Sequence, residues 1–88
     1  MRKLLLPKSF ENRLGLFLKK HPDAEKRVES VFDLLRKNLN DPLLKTHKLS
    51  GKLKKLWACS LGYEYRLVFT FDREKVYLVD IGTHDEVY

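Results

Sequence analysis

The sequence predicts an α+β domain in which an N-terminal αα-hairpin packs on one face of a small twisted antiparallel sheet, residues 1–88 forming a single domain. Three observations carry this. Apolar residues recur at helical spacing through the first forty positions, they alternate with period two after residue 56, and the change happens once, with no repeat or low-complexity linker. A chain of 88 residues buries only about 60–65% of its unfolded surface, which leaves no room for a multi-domain enzyme. With 43% hydrophobic and 34% charged residues it nonetheless has the apolar content of a folded core.

The first element is a short edge strand at residues 3–6. Its charged start, Met1-Arg2-Lys3, has the sign of a signal peptide, but the apolar run stops at Pro7-Lys8, short of the h-region such a peptide needs. No stretch approaches the roughly 18–20 apolar residues that span a bilayer, so no membrane partner is expected. Ser9 is placed to cap a helix in which Phe10, Leu14, Phe17 and Leu18 form one apolar stripe, with Arg13, Lys19 and Lys20 opposite. His21-Pro22-Asp23 ends that helix and opens a second, striped by Val28, Val31, Phe32, Leu35 and Leu39 and closing between Asn38 and Pro42. Two amphipathic helices joined by a tight turn must lay their stripes on something else. Three short runs rich in Leu, Val, Tyr, Phe and Trp, at 56–61, 65–71 and 76–81, supply that surface, separated by Gly62 and by Asp72-Arg73-Glu74. In the middle strand, alternation sends Tyr65, Leu67, Phe69 and Phe71 to one face and Glu64, Arg66, Val68 and Thr70 to the other. One face covers helices while the other presents ionisable groups.

Charge narrows the partners. Eighteen Lys and Arg against twelve Asp and Glu give a net charge of +6, which favours polyanions: nucleic acid or an acidic protein. Lys45, Lys48, Lys52, Lys54 and Lys55 fall within eleven residues that hold no acid, around Ser50-Gly51, a turn suited to a phosphate chain. The single cysteine, Cys59, can form no internal disulfide and no zinc finger, which fits a reducing cytoplasm, and its strand offers no activating neighbour. No metal site is expected, since the three histidines are scattered, and P-loop, dinucleotide-binding and Gly-Xaa-Ser-Xaa-Gly patterns are absent. His47 and His84 suit another task. Cleavage of RNA through its own 2′-hydroxyl needs a base, an acid and a cation for the phosphorane oxygens, and Arg66 is a candidate cation. Tyr88 is a candidate base-stacking ring. The residues alone leave structural alternatives open: Arg66 paired with Glu64, the histidines as ordinary surface or core groups, Tyr88 as core packing.

His47-Lys48-Leu49-Ser50-Gly51, Leu56-Trp57-Ala58-Cys59, Tyr65-Arg66-Leu67-Val68-Phe69 and Ile81-Gly82-Thr83-His84 followed by a terminal aromatic together resemble the RelE/ParE toxin superfamily. The sequence is most similar to its YafQ-like branch of toxin–antitoxin mRNA interferases. The resemblance implies a cytoplasmic toxin that enters the ribosomal A site and cuts mRNA by 2′-hydroxyl attack, with no metal or cofactor, partnered by a cognate antitoxin, the ribosome and mRNA. It further implies that His84 and His47 are the acid/base pair, with His84 foremost, that Arg66 meets the scissile phosphate and that Glu64 supports catalysis. Tyr88 orients the base. Lys48, Lys52, Lys54 and Lys55 contact RNA backbone. Where the branch carries a further histidine this chain has Ser60, which transfers no proton near neutral pH, so the acid and base roles fall on fewer groups. The lysine-based scheme of RelE-like members does not transfer onto Trp57-Ala58-Cys59-Ser60 either. Two alternatives stand beside the nuclease: a ParE-like inhibitor of DNA gyrase, and a basic binding domain that has lost catalysis.

Overall fold

The computed structural model describes residues 1–49 and 55–83. Its elements are β1 (Lys3–Leu5), α1 (Lys8–Lys20), a 3-10 turn at Pro22–Ala24, α2 (Glu25–Lys37), a second 3-10 turn at Pro42–Leu44, β2 (His47–Lys48), β3 (Trp57–Ser60), β4 (Tyr65–Phe71) and β5 (Lys75–Thr83). The strands form one sheet in the order β1-β5-β4-β3-β2.

β3, β4 and β5 are antiparallel, as the sequence predicts, and β2 adds to β3 antiparallel, but β1 runs parallel to β5, with Leu4 opposite Val76. The sheet is therefore mixed. β1 meets β5 only after the chain has passed through both helices and every other strand, and a three-residue apolar run carries no information about the direction of so distant a partner. β2 has no signature in the sequence: two exposed residues, His47 and Lys48, show no apolar alternation to mark them. Within β4·β5, Val68 stands opposite Asp80 while Phe69 stands opposite Leu78. The extra residue, Val79, makes a β-bulge, which locally increases the twist of β5.

The helical stripes fall as expected. Phe10 and Phe17 of α1 are buried and Leu14 and Leu18 pack against the core; from α2, Val28, Val31 and Leu35 are buried, and Phe32 meets Phe10 at 6.4 Å between ring centroids. Basic residues close both helices (Lys19, Lys20; Arg36, Lys37), the sign that suits the negative end of each helix dipole. The start of α1 differs from expectation. Pro7 is the N-cap, its carbonyl accepting the Glu11 N–H at 2.9 Å, and Ser9 lies inside the first turn. Proline costs nothing at a helix entrance, where its missing N–H would have no intrahelical partner, so the helix begins earlier than the nearest hydroxyl.

Tyr65, Leu67 and Phe69 of β4 project into this core beside Leu78 and Val76 of β5, and Phe71 packs at its margin. The helix-covered side of the sheet is thus saturated with apolar groups, and any chemistry must come from its other face or from its ends.

Candidate functional site

On the face turned away from the helices the register sets side chains in rows, since residues directly opposite one another in antiparallel strands share a face. His47 stands opposite Ala58, and Ala58 opposite Val68. Two residues further along β3, Ser60 stands opposite Arg66, and Arg66 opposite Gly82. His47 and Arg66 therefore occupy one face, with their Cα atoms on the order of 12 Å apart by strand spacing and rise. Ala58 and Val68, both buried, form its apolar centre. Gly82, opposite Arg66, contributes no side chain.

Each polar group is held in place. The exposed ring of His47 has Nδ1 at 3.0 Å from the Lys45 carbonyl. A carbonyl only accepts, so Nδ1 carries the proton and Nε2 is the basic nitrogen of the neutral ring. Lys45 ends the second 3-10 turn in the left-handed region, at φ 50°, as the only described non-glycine residue with positive φ. The approach to it is fixed: the Asp41 carboxylate accepts the Leu43 N–H at 2.9 Å, and the Thr46 hydroxyl donates to the Leu39 carbonyl at 3.0 Å. Arg66 is half-buried and donates from Nη1 to the Tyr65 carbonyl at 3.0 Å. It does not pair with Glu64, which lies exposed in the β3–β4 turn; among the described residues the ion pairs are Arg13–Asp80 and Lys37–Asp33. The Ser60 hydroxyl donates to the Gly62 carbonyl at 2.5 Å and so fastens that turn. Burial pushes the Cys59 thiol up to about 12, against the opposing pull of the Arg66 charge, which makes it a neutral core group.

The expected lysines do not all converge. Lys48 stands opposite Trp57, on the alternate face of the edge strand from His47. Lys55 precedes β3 at the end away from Ser60, about 17 Å along the strand from the level of Arg66 at a strand's rise per residue. His84, Tyr88, Lys52 and Lys54 lie outside the described residues.

Two residues that the sequence does not single out for this site stand next to Arg66. A cleft of about 410 Å³ is lined by Leu43, Lys45, Ser60, Gly62, Tyr63 and Arg66. Tyr63 is 95% exposed, and Leu43 is 76% exposed. Lys45 is visible in the sequence as one of five clustered lysines, but its left-handed backbone is not; Tyr63 sits in a turn that the sequence marks only as a break between strands. A separate cleft of about 370 Å³ between α1 and β5 holds the Arg13–Asp80 ion pair and His21. His21 packs between Phe17 and Tyr65, each ring centroid 4.9 Å away, and its Nδ1 lies 3.3 Å from the Tyr65 hydroxyl. This histidine fixes the helix hairpin to β4, and among the described residues none of the expected site residues lines its cleft.

Comparison with known proteins bears on the family and the fold. A family model described as the bacterial toxin of type II toxin–antitoxin system, YafQ, matches residues 2–88. A copper-bound mutant toxin from Helicobacter pylori is 30% identical over all of both chains, with a TM-score of 0.83. YafQ from Escherichia coli strain BL21(DE3) is 18% identical over 100% of this chain and 99% of its own, with a TM-score of 0.84. The toxin chain of the E. coli DinJ-YafQ toxin–antitoxin complex is 19% identical over 99% and 97%, with a TM-score of 0.81. Comparison with curated proteins gives no match. Copper is bound in the H. pylori mutant; among the described residues of the present chain no group of three or more His, Cys, Asp or Glu side chains is arranged to hold a metal ion.

Proposed function

The chain belongs to the YafQ family of toxins of type II toxin–antitoxin systems, and on that premise we propose that it is a ribosome-dependent endoribonuclease, an mRNA interferase, acting in the cytoplasm and restrained by a cognate antitoxin. The observation that carries the proposal is the sheet face turned away from the helices, on which His47 and Arg66 stand together, the histidine with a fixed tautomer and the arginine half-buried and unpaired with Glu64.

The reaction needs only groups this chain carries and the RNA itself. One imidazole takes the proton from a 2′-hydroxyl; the 2′-oxygen attacks the adjacent phosphorus; the bond from phosphorus to the 5′-oxygen breaks; the second imidazole, protonated, delivers its proton to that leaving oxygen. The products are a 2′,3′-cyclic phosphate and a 5′-hydroxyl. His47 and His84 share the two proton-transfer roles in this scheme, and Arg66 places its delocalised positive charge on the phosphorane oxygens, where a guanidinium fork matches two of them at once. Glu64 supports the pair from the β3–β4 turn, and Tyr88 orients a base. Lys48, Lys52, Lys54 and Lys55 hold RNA backbone, a role that needs charge and not exact geometry. With Ser60 committed to its turn, no third proton-transfer group stands on this strand. The E. coli relative has been solved bound to DinJ; by that likeness, the partner here is an antitoxin that lays an acidic or amphipathic segment over the basic face.

The test is mRNA cleavage in a reconstituted translation reaction, with and without ribosomes, comparing wild type with His84→Ala. Cleavage that needs both ribosomes and His84, reduced by a factor of about 10²–10⁴ in the variant, supports the reading. A folded wild type that makes no cuts overturns it and points to gyrase inhibition or to a domain without catalysis.

A further inference from the structure

We propose that the cleft between the 41–47 segment and the β3–β4 turn holds one unstacked nucleotide of the RNA, its phosphate between Lys45 and Arg66 and its base on the ring of Tyr63. The proposal rests on the nuclease reading and adds to it a nucleotide position and two residues, Lys45 and Tyr63, with roles of their own.

Four observations converge on it. The cleft has the volume of a small-ligand pocket, about 410 Å³, enough for one nucleotide and too small for a stacked strand. Two cations with different geometries, the point charge of Lys45 and the planar fork of Arg66, line the same cavity, and neither forms an ion pair with a described acid. Tyr63 is 95% exposed beside them; an aromatic ring that solvent reaches on nearly all sides, next to two cations, is the platform on which proteins stack splayed-out bases. Finally, both residues are presented by backbone that cannot relax easily. Lys45 keeps a left-handed conformation that a side chain with a Cβ adopts only when its surroundings impose it, and such residues cluster at functional sites. Tyr63 follows Gly62, whose φ of +84° only glycine tolerates well, in a turn fastened by the Ser60 hydroxyl and by the Leu61 N–H donating to the Tyr65 carbonyl at 2.9 Å. Pre-set geometry of this kind lowers the ordering cost of binding.

An apolar protein segment is the competing occupant, since Leu43 is exposed at the rim. The cations inside the cavity favour the nucleotide, because a phosphate satisfies both while an apolar side chain satisfies neither.

The probe is a mixed-sequence 2′-O-methyl tetranucleotide, which cannot be cleaved, together with the same oligomer made abasic. Binding to the full-length protein is read by fluorescence anisotropy, alongside single-turnover mRNA cleavage on programmed ribosomes. Tyr63→Ala is expected to weaken binding of the intact oligomer about 5- to 150-fold, the range for removal of one base stack, and to leave the abasic oligomer unaffected. Tyr63→Phe should bind as wild type, since stacking needs the ring and not the hydroxyl. Lys45→Gly should weaken both oligomers while preserving or raising thermal stability, because glycine accepts the left-handed backbone while the lysine side chain and its charge are removed. Tyr63 is exposed enough that its variants fold, and thermal melts check this. Equal affinity of wild type and Tyr63→Ala for the intact oligomer, or failure of the wild type to bind it, overturns the proposal; if Tyr63→Ala then impairs antitoxin capture instead, the cleft belongs to a protein. Ribosomal cleavage unchanged by Tyr63→Ala, with wild type active, sinks the platform and leaves the nuclease reading intact. Tyr63-dependent oligomer binding by a wild type that never cleaves mRNA retains the cleft and sinks the nuclease.

Discussion

Arg66 is the residue on which the candidate site turns. Its guanidinium touches the Tyr65 carbonyl, lines the same cleft as Lys45 and lowers, against burial, the otherwise raised pKa of Cys59. If it stabilises the phosphorane, Arg66→Ala should slow single-turnover cleavage by about 10²–10³, the cost of removing one such donor, and Arg66→Lys should restore only part, since an ammonium cannot form two parallel hydrogen bonds with a phosphate. Full activity in the lysine variant would show that charge alone is used. Cys59 offers a separate check of the core. Its thiol lies at about 12 in the fold against an ordinary 9.0, so the folded state favours the neutral form. Below pH 9 this has no effect on stability; as pH rises from 9 toward 12 the unfolded chain gains from deprotonation that the fold denies, and stability falls. The native protein should accordingly resist thiol reagents at about pH 8 and react once denaturant unfolds it, whereas rapid native labelling would contradict the packing described for β3.

At the scale of elements, the turn between β4 and β5 depends on one carboxylate. Asp72 Oδ1 accepts the N–H groups of Glu74 and Lys75, each at 2.8 Å, and Oδ2 accepts the Tyr77 hydroxyl at 3.2 Å. The Glu74 and Lys75 N–H groups hold the Asp72 carboxyl below its ordinary value. A depressed folded pKa means a contribution present above the ordinary carboxylate range and lost as pH falls through the folded value. Asp72→Ala should therefore lower the melting temperature at neutral pH, and the gap from wild type should narrow as the buffer is made acidic; a gap independent of pH would remove the charge from the account. The same turn shows what is legible in the sequence. Alternation in β4 marks its bounds and its core face, and Asp72-Arg73-Glu74 marks the turn, because both signals are local. The direction of β1, the existence of β2 and the left-handed Lys45 are set by contacts distant in sequence or by the packing of the 41–47 segment, and nothing in Lys3-Leu4-Leu5 or Thr46-His47-Lys48 encodes them. The site follows the same rule. Arg66 is readable from its strand parity, while the placement of Lys45 and Tyr63, presented by turns, becomes visible only when the chain is folded.

For the molecule as a whole, the net charge of +6 and its distribution decide how it meets its target. The core on the helix-covered face of the sheet is built of apolar side chains, so charge is carried around it, on the strand edges, the turns and the outer surfaces of the helices. Under the proposed function, attraction to RNA is long-ranged and sequence-independent, while His47, His84 and Arg66 act on the phosphate that is cut. These two contributions separate experimentally through salt. Replacing Lys52, Lys54 and Lys55 by Glu removes three positive charges and adds three negative ones, which takes the net charge from +6 to zero. Ribosome affinity of the triple variant should fall, and the slope of log affinity against log salt should flatten by about 2–3, close to one for each phosphate that the variant no longer neutralises. The cleavage rate of ribosomes already saturated with the variant should remain near that of wild type, since none of the three is assigned to the reacting atoms. An unchanged salt slope would place these lysines off the RNA and leave Lys45 and Arg66 as the cations that engage it.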